Sequence, residues 1–345
     1  DADLVARYDA LASDGLPVPS LLDLLPAVLP AGAVAGTLTA EGAALLDPTG
    51  ILRPGALACP PEGDAGTGMV ATNSVAPRTG NVSAGTSIFA MVVLERELVT
   101  TPAGDPVAMV HCNNGASELA AWAGLFGRFA EAAGTGIDQD AVYEILLTEA
   151  LAGEADAGGL LAYNHLAGEP IAGLTEGRPL FVRTPDSRFT LANTMRAQVY
   201  GVFATLALGM RVLEHEGVEL DAMYAHGGMF RTAGVAQRFL AGALNAPVSV
   251  GATASEGGAW GIAVLASYLV ANESADAETT DLATYLRETV FSDAPVAVAA
   301  PDPVDVAGFT TYLQQYDAGL DIERVAVEVI GAHESESSTA EGSPA

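Results

Sequence analysis

The chain has 345 residues, half of them hydrophobic, with a mean hydropathy of +0.32, which is enough apolar material for more than one core and favours two domains. Its 14 basic residues are all arginine and face 43 Asp and Glu, for a net charge of −29; such a field repels nucleic-acid phosphate and anionic lipid. No apolar stretch reaches the ~18–20 uncharged residues of a membrane span, Cys59 and Cys112 show no ligand or redox spacing, and the five histidines form no metal-ligand pair.

In chain order, LVARYDALA carries helical apolar spacing, and PSLLDLLPAVLP is broken by Pro26 and Pro30. TAEGAALLD opens like a capping box at Thr39 and ends in the turn Asp47-Pro48-Thr49-Gly50. GALACP is a short strand. GDAGTGMVATNSV is a tight turn entering a helix, with Asp64 expected at the N-cap. Asp64-Ala65-Gly66-Thr67 imitates a D-x-G-T phosphate turn, but that turn belongs between two strands and this segment continues as a helix.

Beyond Pro77 two β-rich runs flank Ala84-Gly85-Thr86-Ser87, a hairpin signal. PVAMVHCNN is a further strand, and helices are expected near 115–133 and 138–152. Residues 158–190 are turn-rich with short strands, and 190–216 is the clearest helix, with apolar residues every three or four positions. LDAMYAHGG, VAQRFLAGALN, PVSVG and EGGAWGIAVLASYLV then alternate strand and helix, the pattern of an α/β layer. Residues 272–305 read as an acidic surface excursion, the segment from Phe309 as a last helix, and 331–345 as a solvated, disordered tail.

Four features carry chemistry, each with a plain structural alternative. The small-residue hairpin Ala84–Ser87 can present backbone N–H groups and hydroxyls to phosphate, or be only a turn. His226-Gly227-Gly228, between a strand and a helix, allows a flat ligand or phosphate to approach closely, or again is a turn. The glycines of SEGGAWG, residues 255–261, allow tight helix packing. Asp64, at a rigid loop end, can accept a hydroxyl proton, or merely cap its helix. With no lysine in the chain, any phosphate would be held by backbone N–H groups or a metal.

Their order along the chain resembles that of the FGGY carbohydrate kinases, of the actin/hexokinase-like ATPase superfamily, over about Leu21 to Val329. GDAGTGMVATN resembles the family's catalytic-aspartate segment, which implies Asp64 as general base, Gly63 and Asp64 at the substrate, and Asp64 near Mg²⁺. GNVSAGTSIFAM resembles the second phosphate-binding hairpin, implying Gly85, Thr86 and Ser87 at the ATP phosphates. YNHLAGEP resembles the family's Y-x-x-G-E motif, at Tyr163, Gly168 and Glu169. HGGMFRT is similar to the adenosine motif, implying Gly227, Gly228, Met229 and Thr232 around base and ribose, and EGGAWGIAVLA to the family's E-x-G-A-x-G-A-A helix.

The resemblance implies an α/β, actin-like ATPase (ribonuclease H-like) fold. Residues 1–77 would be a remnant of the N-terminal sugar-binding domain and 78–330 a complete C-terminal ATP-binding domain. It also implies phosphoryl transfer from ATP, with Mg²⁺, to a primary hydroxyl of a ketopentose such as L-ribulose or D-xylulose. A small-molecule sugar is then the partner, without nucleic acid or membrane; a homodimer is compatible with it and a cytoplasmic setting is expected. The chain departs from the family pattern where its first phosphate turn and most of the sugar-binding wall are expected, where His226 and Phe230-Arg231-Thr232 replace a glycine and small or basic residues, and where AQVYGV replaces E-G-x-A. Alone it is expected to be inactive, and a non-catalytic actin-like nucleotide-binding module is the alternative.

Overall fold

The computed structural model describes residues 2–12, 19–95, 106–232, 234–251, 257–273 and 280–331. The expected tail at 332–345 lies outside them, as do Ser255 and Glu256 of the SEGGAWG segment. By internal contacts the chain forms two compact units: Asp1–Pro61 with Ala266–Glu278, and Glu62–Leu265 with Thr279–Ala345.

The smaller unit contains helices α1 (Ala2–Ala12) and α2 (Leu21–Leu24), strand β1 (Gly36–Thr37), helix α3 (Ala40–Leu46) and strand β2 (Leu57–Ala58). Asp9 ties α1 to α2 by accepting from the Leu21 N–H at 2.8 Å and the Ser20 hydroxyl at 3.0 Å. Thr39 caps α3, its hydroxyl accepting from the Gly42 N–H, as the sequence suggested. β1 and β2 pair antiparallel, Gly36 opposite Ala58.

The larger unit opens with helix α4 (Asp64–Ala71), followed by strands β3 (Thr79–Ala84), β4 (Ile88–Val93) and β5 (Val107–Cys112). Next come helices α5 (Ser117–Ala132) and α6 (Gln139–Ala150), the short pair β6 (Leu161–Tyr163) and β7 (Leu180–Val182), and helix α7 (Leu191–His215). Strand β8 (Ala222–His226), helix α8 (Val235–Leu244), strand β9 (Val248–Gly251) and helix α9 (Gly257–Glu273) follow; α9 runs on from this unit into the smaller one. Helix α10 (Leu282–Tyr285), strand β10 (Val296–Ala299) and helix α11 (Pro303–Val329) are the last elements of the described residues.

Six strands form one sheet in the order β10-β9-β8-β3-β4-β5. β3, β4 and β5 make an antiparallel meander, β8 joins β3 in parallel, β9 joins β8 in parallel, and β10 pairs antiparallel with β9. An antiparallel meander whose first strand receives parallel strands through helical crossovers is the topology of the ribonuclease H-like, actin-type ATPase domain. Because β3 and β8 run in parallel, the β3–β4 turn and the end of β8 emerge at the same edge of the sheet, which is where ligands of open α/β sheets bind.

α7 is the pillar of the core. It is buried without interruption from Asn193 to Ala207, so it is an interior helix rather than a one-faced surface helix. Several of its polar side chains bond to the surrounding elements. Arg196 pairs with Asp305 of α11 and donates to the Tyr200 hydroxyl at 3.0 Å, and Thr205 meets the Tyr316 hydroxyl at 3.1 Å.

Two expectations need correction. Asp64 is not the N-cap of α4: Gly63 is, with extended backbone, and Asp64 is the first helical residue. Among the described residues the Asp64 carboxylate accepts only from the adjacent Ala65 N–H, while Thr67 closes the first turn by donating its hydroxyl to the carbonyls of Gly63 and Asp64. Of the expected surface excursion at 272–305, residues 274–279 lie outside the described ones, and 287–300 are largely exposed, as expected. Residues 280–302 also supply α10 and the sheet-edge strand β10, however, and the last helix begins at Pro303, capped by Asp302, rather than at Phe309. Acidic, Pro-rich composition hid an edge strand whose pairing partner is non-local.

Candidate nucleotide-binding site

The β3–β4 hairpin closes through a three-residue loop, Gly85 to Ser87, with Gly85 donating its N–H to the Ser87 carbonyl at 2.9 Å. The loop leans on the residues that lead into α5. Gly115 donates to the Thr86 carbonyl at 2.7 Å and Ala116 to the Gly85 carbonyl at 2.8 Å. Among the described residues there is no cis peptide, and in a trans peptide the N–H points opposite to its C=O. With both carbonyls turned toward Gly115 and Ala116, the N–H groups of Thr86 and Ser87 are aimed the other way. Neither has a hydrogen-bond partner among the described residues. Gly85 and Thr86 are exposed, so the loop offers two unpaired amides and two hydroxyls at the sheet edge, the elements of an anion-binding nest.

A buried polar network holds this loop from behind. Asn114 follows β5 and is almost wholly buried. Its side-chain oxygen accepts from the N–H groups of Leu166 and Ala167 at 2.9 Å, and its side-chain amide donates to Glu169 at 3.1 Å. Glu169 is fully buried and also accepts the Asn114 backbone N–H at 3.3 Å. Asn164 donates to the Gly115 carbonyl at 2.8 Å. Gly115 admits no side chain, because a Cβ there would overlap the Gly85 carbonyl.

At the end of β8, Gly227 has φ +109°, and a Cβ on it would collide with the Ala84 carbonyl. Only glycine lets the two strand ends close up here. A single 3₁₀ turn follows, from Gly228 to Arg231. Met229 and Phe230 point into the core, while Gly228 and Arg231 are exposed.

Between the hairpin and this turn lies a cleft of about 690 Å³. Of the residues singled out from sequence, Gly85, Thr86, Gly228, Met229 and Thr232 line it. Ser87 and Gly227 flank lining residues without lining it, and Gly63 and Asp64 are outside it. Met229 is 1% exposed and belongs chiefly to the core. The opposite wall comes from α5 and α6 and includes Ser117, Asp140, Tyr143 and Glu144, none of which motif order revealed. Burial pushes the Tyr143 phenol above its ordinary value. A separate hollow of about 480 Å³ beside α7, α8 and α11 contains none of the predicted residues.

Asp64 is exposed at the head of α4. α4 is fixed by close glycine contacts: a Cβ on Gly261 of α9 would overlap the Thr67 carbonyl, and one on Gly68 would lie 3.1 Å from His226 Nε2. The expectation that the EGGAWG glycines serve close helix packing therefore holds at Gly261. The side chain of Asn81 on β3 is buried beside His226, and neither Asn81 nor His226 Nε2 has a partner among the described residues.

The model of the C-terminal domain of the FGGY family of carbohydrate kinases matches residues 80–270, more than half of the chain. The chain belongs to the FGGY family of carbohydrate kinases. Solved structures resemble this FGGY protein in fold. A xylulose kinase from Rhodospirillum rubrum superposes with a TM-score of 0.69 at 22% identity over 93% of this chain and 60% of its own. A gluconate kinase from Lactobacillus acidophilus gives 0.68 at 17% identity over 94% and 60%. A glycerol kinase from Plasmodium falciparum, solved with ADP, gives 0.60 at 13% identity over 85% and 56%. The chain thus spans three-fifths or less of the length of these structures. No curated protein sequence matches it. Among the described residues no helix is long and apolar enough to cross a membrane, and no three His, Cys, Asp or Glu side chains gather as a metal site.

Proposed function

We propose that the parent protein of this FGGY chain is an ATP-dependent kinase acting on a primary hydroxyl of a ketopentose or related sugar, of the L-ribulose or D-xylulose type. In this reading residues 78–330 are the ATP-binding domain and 1–77 belong with the sugar-binding one. The observation that carries it is the cleft, where an amide-presenting hairpin faces a glycine turn across the sheet edge. Phosphoryl transfer asks a protein mainly for positioning and charge stabilisation. The Thr86 and Ser87 amides and hydroxyls would hold phosphate oxygens, with Gly85 shaping the loop, since its own N–H is already bonded within it. Gly227 and Gly228 would let the nucleotide approach the backbone, and Met229 and Thr232 would border base and ribose.

Asp64 would accept the proton of the acceptor hydroxyl as its oxygen bonds to the γ-phosphorus. The bond from that phosphorus to the bridging oxygen breaks and ADP leaves. Asp64 fits this role in being an exposed carboxylate at a helix start, with a single hydrogen bond among the described residues, from Ala65. The same carboxylate, beside Gly63, would reach a nucleotide-borne Mg²⁺, whose chemistry is to neutralise phosphate charge. The chain's own residues otherwise hold and orient.

The test is calorimetry with ATP, with and without a panel of pentuloses, and turnover by the full-length protein and its Asp64→Asn variant. The variant should bind nucleotide and lose sugar phosphorylation; turnover within about tenfold of wild type would remove Asp64 as the base. A second reading, a nucleotide-binding module without phosphotransfer, is favoured by one observation: Asp64 does not line the cleft. It predicts ATP binding and no sugar-dependent turnover by the full-length protein.

A further inference from the structure

The cation that a lysine-free chain could bring to a polyphosphate is visible in its arginine pairing. In the larger unit, the described arginines Arg78, Arg128, Arg178, Arg188, Arg196, Arg211, Arg238, Arg287 and Arg324 are each paired with a carboxylate. Arg183 lies over the ring of Phe189 at 4.9 Å. Arg231 alone among them has neither a carboxylate nor a ring partner, and it lines the cleft.

In a protein of net charge −29, an exposed guanidinium would ordinarily find a carboxylate within reach. The walls of this cleft even carry two, Asp140 and Glu144, yet Arg231 pairs with neither. Its position is set from below. Phe230, 7% exposed, and Met229, 1% exposed, anchor the 3₁₀ turn in the core, so the arginine leaves a fixed backbone. Gly228 beside it has open space where a Cβ would stand, and Gly85 and Thr86 line the same cleft.

From this we infer that Arg231 is the cation that binds the phosphate chain of the nucleotide, acting with the Thr86 and Ser87 amides. The inference rests on reading the cleft as a nucleotide site. A strongly acidic surface raises the cost of bringing a polyanion near. Unpaired amides supply partial charge only, and a guanidinium supplies a full one in a fork suited to phosphate oxygens. Asp140 and Glu144 on the opposite wall, beside Tyr143, offer acceptors for ribose hydroxyls. The cleft is therefore polarised, with phosphate toward Arg231 and the hairpin, and nucleoside toward α6.

The experiment is calorimetric titration of the chain with ATP, ADP and adenosine, for wild type, Arg231→Ala, Arg231→Lys and the charge-matched control Arg287→Ala. Arg231→Ala should weaken ATP and ADP by about ten- to one-hundredfold, the range of a charge-assisted hydrogen bond, and leave adenosine within about twofold. Arg231→Lys should recover part of the loss, and the control should resemble wild type. Raising the salt should weaken ATP binding less in Arg231→Ala than in wild type. Unchanged ATP binding in Arg231→Ala, or an equal loss for adenosine, overturns the assignment while the nucleotide reading stands. A wild-type chain that binds neither ATP nor ADP overturns the nucleotide reading itself, and this inference with it.

Discussion

The buried carboxylate of Glu169 takes two hydrogen bonds from one residue, Asn114, at 3.3 Å from its backbone N–H and 3.1 Å from its side chain. Through the next two residues, Gly115 and Ala116, that contact reaches the carbonyls of the phosphate-type hairpin. Glu169→Ala should lower the unfolding free energy by about 1–3 kcal/mol, the cost of leaving the Asn114 backbone N–H and one of its two side-chain donations without an acceptor, the other still going to the Ala167 carbonyl. Glu169→Gln, which keeps an acceptor, should lose less. Urea midpoints measure both, and equal losses would mean that the charge of the carboxylate, rather than an acceptor of that shape, holds Asn114.

Gly227 tolerates no side chain, because its φ of +109° and the adjacent Ala84 carbonyl oppose a Cβ independently. Gly227→Ala should cost about 1–3 kcal/mol from backbone strain alone, with the steric term in addition. Gly228→Ala should cost markedly less, since open space surrounds that position. Thermal unfolding of the two variants side by side gives the comparison, and equal midpoints would refute the close approach of β3 to β8.

His226 is half-buried, with its Nε2 wholly so, beside Gly68 and Gly257, and desolvation lowers its pKa from the ordinary value. A folded-state pKa below the unfolded one means that the unfolded chain binds the extra proton, so stability rises with pH through that interval. The wild type should therefore lose stability as the pH falls below about 6.5, where unfolded histidine protonates. His226→Gln should show a shallower loss over the same range. Parallel denaturant titrations from pH 7 to pH 5 decide it, and identical slopes would count against a desolvated neutral imidazole.

Cys59 and Cys112 are free thiols. Burial, with the charge of Glu169 added, pushes the Cys112 thiol well above its ordinary value. Since the thiolate is the reactive form, Cys112 should resist alkylation in the native chain and react once the chain is unfolded. Mass spectrometry after iodoacetamide treatment reads the site directly. Native labelling of Cys112 at a rate matching Cys59 would contradict its burial.

Local order along the chain was enough for much of this protein. Thr39 capping, the helices at 117–132 and 139–150, the hairpin at Gly85–Ser87 and the strand–glycine–helix at 222–244 are set by short-range chemistry: turn residues, β-branched runs and helical spacing. The linear order of the motifs also carried the family resemblance. Other features depend on contacts remote in sequence. β10 is an acidic-region strand that exists because β9 offers an edge. α7 appeared one-faced in sequence, and only tertiary packing showed it buried on every side. Motif order picked out Gly85 and Gly228, but it could not show that α6 faces them with Tyr143 and Glu144. Nor could it show that every other described arginine of that unit finds a partner while Arg231 does not. A charge count fixes how many cations there are; which one stays unpaired is decided by where the fold places the acids.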